Sequence, residues 1–327
     1  MTAHSLTSPG AHADTPDQPH RPKIVFLGPQ RNAITIRDEL VRWGVDGRIA
    51  AVTAGWQERE AEDDELQDAI GHRAVNLRLH ARVDAAFAAD PALFAMHRRR
   101  QDRLRRLQDL YRLRLDKYLD AALELFQLDE PVEELPDARD GAVQALRDLD
   151  GHHLELLQRV HEEFDEELTA HPSAALQHQR GEVAELIASC GMVAIAGGQV
   201  ATLLGRLRLL DVRRHLVNKP LLAWSAGAMV LTERVVLFHD RPPEGPGNAE
   251  LLEPGLGLAP GIVALPHASV RLRLDDLPRT SLFSQRFSPS VCVALDPYAR
   301  ARWDGAQWRL QDGTWRIGED GALVPMP

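Results

Sequence analysis

The 327-residue chain is 44% hydrophobic and 26% charged, enough length and apolar content for one large α/β domain with an insertion or for two domains. Its formal net charge of -10 excludes a general electrostatic footprint for nucleic acid. No window approaches the roughly 20 apolar residues of a membrane span, so neither nucleic acid nor membrane is expected as a partner. Cys190 and Cys292 sit in apolar surroundings and read as buried thiols in a reducing, cytoplasmic compartment, not as a disulfide.

In chain order, residues 1–21 are rich in Ser, Thr, Pro, His and Asp without an apolar core segment; they read as a disordered tail, neither signal peptide nor anchor. The run Lys23 to Leu27, closed by Gly28 and Pro29, fits a buried parallel strand. A helix is predicted from Ile34 to Trp43 and a second strand from Arg48 to Thr53, ending at Ala54 and Gly55. Such a β-α-β opening implies a parallel sheet with right-handed crossovers.

From residue 61 to 189 strand signals vanish and Leu, Ala, Arg and Glu recur at helical spacing, which predicts a helical insertion. Leu104, Tyr111, Leu115, Ala122 and Phe126 mark an apolar stripe on a helix over 92–128. Pro131 and Pro136 break it, and a second helix over 140–168 carries Val143, Leu146, Leu157, Val160 and Phe164, so the two are expected to pair as an antiparallel hairpin. Strand character returns at Met192 to Ala196, closed by Gly197-Gly198-Gln199, with a helix from Ala201 to Leu210 and a strand from Pro220 to Trp224. Later strands are read at 235–238, 261–265 and 291–295, and a small C-terminal β meander over 301–324 with Asp-Gly turns. The organisation expected is therefore a tail (1–21), a catalytic α/β domain (22–60 and 190–327) and the insertion (61–189).

Ser225 follows the strand at 220–224 directly, wedged among Ala223, Trp224, Ala226, Gly227 and Ala228. Small residues at a strand-to-helix turn are the layout of a nucleophile elbow. A serine hydroxyl needs a base, and His267, just past the strand at 261–265, is the candidate. An acid must then orient the imidazole; Asp240, past the strand at 235–238, is favoured over Glu233, Asp275 and Asp276. The N–H groups of Gly198, at a glycine-rich junction, and of Ala226 would form the oxyanion hole.

These residues resemble a known family. Ala223-Trp224-Ser225-Ala226-Gly227-Ala228, with Gly197-Gly198-Gln199 upstream and Leu265-Pro266-His267 downstream, is similar to the dipeptidase E / cyanophycinase family of serine peptidases. The resemblance covers roughly 22–55 and 191–305. It implies a three-layer α/β fold of the class I glutamine amidotransferase-like, flavodoxin-like kind, with Ser225 as nucleophile, His267 as base and Asp240 as acid. Ala223 departs from the glycine usual two positions before the serine, and Gly-Gly-Gln departs from the usual Gly-Gly-Asn or Gly-Gly-Asp-Gln. The family's selectivity for acidic or β-aspartyl groups points to a carboxylate clamp, for which Gln199, Arg241 and Arg271, with Arg273 and Arg279 nearby, are the candidates.

The function expected is thus a serine peptidase that cleaves a short peptide or isopeptide through an acyl-enzyme, without metal or cofactor. The competing expectation is an inactive scaffold whose hairpin mediates homo-oligomerisation or partner docking. Within the hairpin, the basic run Arg98, Arg99, Arg100, Arg103, Arg105 and Arg106 faces a second helix rich in Glu, which favours pairing across the hairpin over nucleic-acid binding. His152, His153 and His161 lack the paired Glu-x-x-His pattern of a di-iron bundle and are not expected to bind metal.

Overall fold

The computed structural model describes residues 23–31, 33–129, 131–240, 247–311 and 313–325; the expected tail, the turn residue Asp312 and Arg241 lie outside the described residues. Short apolar runs form β1 (Ile24–Leu27), β2 (Ile49–Val52), β4 (Met192–Ile195) and β5 (Leu221–Trp224), every residue of which is buried. A side chain buried on either face is what a parallel strand between two helical layers requires. With β3 (Ala74–Asn76), these strands form the parallel part of a seven-stranded sheet. Its order is β11-β10-β1-β5-β4-β2-β3, with β10 (Arg300–Trp303) and β11 (Trp308–Leu310) antiparallel at one edge.

From β1 the chain passes through α1 (Ile36–Trp43) to β2, then through α2 (Asp64–Ala69) to β3, moving outward across the sheet. From β4 it returns through α7 (Val200–Leu209) and α8 (Arg213–Leu216) to β5, moving the other way. Right-handed crossovers that progress in opposite directions place their helices on opposite faces. Ile36, Leu40, Trp43 and Leu66 accordingly cover the face of Val25 and Leu222, whereas Leu203, Leu204 and Leu207 cover the face of Phe26 and Ala223.

The insertion is less purely helical than the sequence suggests. Residues 64–76 supply α2 and the sheet strand β3, whose three residues are too few to carry a period. The long helices α4 (Pro91–Gln127) and α5 (Leu135–Ala170) follow α3 (Leu79–Ala89) and precede α6 (Ala174–Ala188). They pack on one another as the expected hairpin, with Arg99 and Arg103 paired to Glu167 and Glu163 across it. The expected C-terminal meander is instead divided between sheets. β10 and β11 extend the large sheet, while β12 (Trp315–Ile317) and β13 (Leu323–Val324) join β9 (Val291–Leu295) and β8 (Ile262–Pro266) in a second, four-stranded sheet.

The hairpin is fastened to the body. Arg286 of α11 (Leu277–Phe287), only 1% exposed at its side chain, donates Nε–H and Nη2–H to both carboxylate oxygens of Asp150 on α5, each at 2.7 Å. It also donates to Tyr111 Oη of α4 at 2.8 Å and to the Ala249 carbonyl at 2.7 Å. Tyr111 in turn donates to Asp150 at 2.7 Å and accepts from the Leu251 N–H in β7 (Glu250–Pro254), which pairs with β6 (Arg234–Leu237). The bidentate carboxylate and its hydrogen bonds hold Arg286 charged against its burial.

Asp150→Ala removes the carboxylate and leaves that guanidinium buried alone. It is expected to lower the free energy of unfolding by about 3–5 kcal/mol in chemical denaturation, and the double change Asp150→Leu with Arg286→Met should recover most of it. A loss below about 1 kcal/mol for Asp150→Ala would show that other contacts carry the hairpin.

Candidate active site

Ser225 stands between β5 and α9 (Ala226–Leu231) at φ 51° and ψ -127°. This sparsely populated backbone costs about 1–3 kcal/mol and lifts a side chain above the sheet edge. Absent side chains make the turn possible. A Cβ at Gly197 would lie 2.7 Å from Ser225 Cβ, and one at Gly227 would lie 2.2 Å from the Ile195 carbonyl oxygen. Gly198, at φ 116°, packs against Gly55 so closely that a Cβ would meet the Gly55 oxygen at 2.3 Å. The ends of β2, β4 and β5 thus meet through backbone. The N–H groups of Gly198 and Ala226 find no acceptor among the described residues.

Ser225, His267, Gly197 and Gly198 line one end of a cavity of about 790 Å³. The loops that follow β1 and β2 form its other walls. His267 follows β8 directly, in the left-handed conformation at φ 58°, with its backbone N–H on the Leu295 carbonyl at 3.1 Å. Burial, then the Arg271 guanidinium, lower the pKa of the half-buried imidazole, and the Asp296 carboxylate opposes them. No direct hydrogen bond joins Ser225 Oγ to His267.

No hydrogen bond joins Asp240 to His267. Its buried carboxylate accepts from Arg279 Nε at 2.8 Å and from the Arg273 N–H at 3.0 Å, while its own N–H donates to the Arg271 carbonyl at 2.7 Å. The spacing from Ser225 fits the family pattern, but an arginine from α11 takes the carboxylate. The acid whose field reaches His267 is Asp296, which sequence reasoning missed. In the parallel pairing of β8 with β9, Pro266 lies opposite Leu295, so His267 and Asp296 are the next residues on adjacent strands. The signal was present, since Asp296 ends its strand as His267 ends its own, but reading it required the pairing. Asp296 accepts from the Ser269 N–H at 3.1 Å and from its hydroxyl at 2.9 Å.

Of the residues expected to bind a substrate carboxylate, Arg241 lies outside the described residues, and the described ones are engaged elsewhere. Gln199 caps α7, its side-chain oxygen accepting from the Thr202 N–H. Arg271 lies over the Phe238 ring at 6.0 Å and does not line the cavity, and Arg279 is committed to Asp240. Trp224, just before the elbow, is buried yet also borders the cavity.

Both cysteines are buried and unpaired, and burial pushes the Cys292 thiol up to about 12, which leaves it inert. Among the described residues, no group of three or more His, Cys, Asp or Glu is placed to hold a metal. Among the same residues, no helix is long and apolar enough to cross a membrane.

No family model matches the chain, and no curated protein matches it. Among solved structures, the crystal structure of a peptidase from an acI-B1 Actinobacterium is similar over 94% of this chain and 96% of that chain, at 12% identity and a TM-score of 0.44. The chemistry therefore rests on this chain's own residues.

Two outcomes are expected of the site. Gly197→Ala should abolish reaction of Ser225 with a fluorophosphonate, because the new methyl and Ser225 Cβ cannot both keep their places; labelling at the wild-type rate would contradict that crowding. A base works only when neutral, so the rate of labelling should fall with decreasing pH through a midpoint below the ordinary histidine value of about 6.5. Arg271→Gln removes a charge that disfavours imidazolium and should move that midpoint to higher pH, whereas an unmoved midpoint would separate Arg271 from His267.

Proposed function

We propose that the protein is a serine hydrolase, a peptidase that cleaves a short peptide or isopeptide through an acyl-enzyme on Ser225. The observation that carries the reading is the strained serine opening into the same cavity as His267 and the Gly198 amide. In this mechanism His267 takes the hydroxyl proton as Ser225 attacks the carbonyl carbon, and the Gly198 and Ala226 N–H groups stabilise the oxyanion. His267 then gives the proton to the leaving amine, and water, deprotonated by the same imidazole, releases the acid. The serine–histidine hydrogen bond forms when substrate fills the cavity, as catalytic contacts often tighten on binding. Asp296 acts as a positioning residue, stabilising the imidazolium from the adjacent strand end. The resemblance of the elbow and Pro-His segments to dipeptidase E and cyanophycinase supports the same reaction class, with the acid reassigned.

Fluorophosphonate labelling of the intact protein tests the reading: wild type should label, Ser225→Ala should not, and an unlabelled wild type sinks it. Asp296→Asn should slow labelling by about 10²–10⁴-fold and shift its pH midpoint downward. Asp240→Asn should leave the labelling rate within a few-fold while lowering stability by about 3 kcal/mol, as loss of one partner of a buried ion pair does. The reverse pattern would return the acid's role to Asp240.

A further inference from the structure

The walls of the cavity beyond Ser225 carry information about what it accepts; the inference rests on the hydrolase reading for the chemistry, though not for the binding. Ile34, in the loop after β1, is 59% exposed, and Trp56, in the loop after β2, is partly buried; both line the cavity. Leu66 and Trp224 continue this apolar surface into the core beneath. An isoleucine and a tryptophan left against an open cavity lower the free energy of a ligand that removes their surface from water.

The charges argue in the same direction. The ionic residues of the lining are Arg31 and Arg59 against Glu62, Asp64 and Glu65, so carboxylates outnumber guanidinium groups. Arg59 is already paired with Glu62 at 2.6 Å. An acidic side chain entering this cavity meets a slightly negative wall and a single guanidinium, Arg31, that is not tied to a carboxylate among the described residues of the lining. Arg271, Arg273 and Arg279, which would serve an acidic substrate, do not line it.

We propose that this cavity selects short peptides carrying a large apolar side chain beside the scissile bond, seated between Ile34 and Trp56, and disfavours acidic ones. A volume of about 790 Å³ holds a peptide of a few residues.

The test separates selectivity from catalysis. Binding of Phe-Ala, Asp-Ala, Lys-Ala, Ala-Phe, Ala-Asp and Ala-Lys to full-length Ser225→Ala protein is measured by calorimetry. A phenylalanyl peptide should bind at least about tenfold more tightly than its aspartyl counterpart, the scale on which an apolar pocket discriminates. Adding Trp56→Ala should erase most of that preference, and so should Ile34→Ser, an exposed position where folding is not at stake. Equal or tighter binding of the aspartyl peptides, or a preference untouched by both substitutions in folded protein, overturns the proposal. Fluorophosphonate labelling of wild type reports separately on Ser225. Apolar selectivity without labelling upholds this cavity assignment and removes the hydrolase reading, whereas labelling with aspartyl preference does the opposite.

Discussion

Three strand ends converge at one point with no side chain between them, and the site depends on that contact. Gly55 after β2, Gly197 and Gly198 after β4, and Gly227 after Ser225 each sit where a Cβ would collide with backbone or with Ser225 itself. The backbone of Ser225 is costly on its own. It is sustained because β5 lies between β1 and β4 in register, Val193 to Ile195 opposite Leu221 to Ala223, so the turn cannot relax without moving a buried strand. The same convergence brings the Gly198 N–H to the cavity that holds the serine. The positions of Ser225 and of Gly198 at that cavity are thus two consequences of one packing constraint.

The second half of the site is held by α11. Arg279 and Arg286 lie seven residues apart, two helical turns, and so on one face of that helix. Arg286 grips Asp150 and Tyr111 of the hairpin, and Arg279 grips Asp240. Asp240 in turn bonds the backbone of Arg271 and Arg273, at the end of the short helix α10 (Ala268–Arg271) that His267 opens. The hairpin and the segment that His267 opens are therefore fixed by neighbouring turns of one helix. This gives Asp240 a structural task that explains its burial and its spacing without a hydrogen bond to the imidazole. It also makes the hairpin part of the scaffold of the site, through a buried, fully bonded ion pair, and not a loosely tethered arm.

Where a physical signal was local, the sequence was readable. The buried strands are apolar runs closed by glycine, and the hairpin helices, expected over 92–128 and 140–168, run from Pro91 to Gln127 and from Leu135 to Ala170. Ser225 and His267 were singled out because each follows a strand, and both line one cavity. What escaped was decided by partners distant in sequence. β3 has three residues and exists because β2 offers an edge. Asp240 was favoured for its place past a strand, but its carboxylate is held by Arg279, 39 residues away, and it is the β8–β9 register that brings Asp296 level with His267. Gln199 was read as a substrate-binding residue, and in the fold its side-chain oxygen accepts from the nearby Thr202 N–H at the start of α7.

Placing the base between Arg271 and Asp296 has a consequence for how the site is poised. Burial and Arg271 both disfavour the imidazolium, and Asp296 favours it. In the resting protein the first two prevail, so His267 is neutral and able to accept a proton across the neutral range. In the mechanism we propose, positive charge develops on His267 and negative charge on the oxyanion as Ser225 attacks. The first is what Asp296 stabilises, and the second is what the free Gly198 and Ala226 amides receive. Asp296 hydrogen-bonds to Ser269 and not to His267, so in that mechanism it acts on the imidazolium through its charge alone.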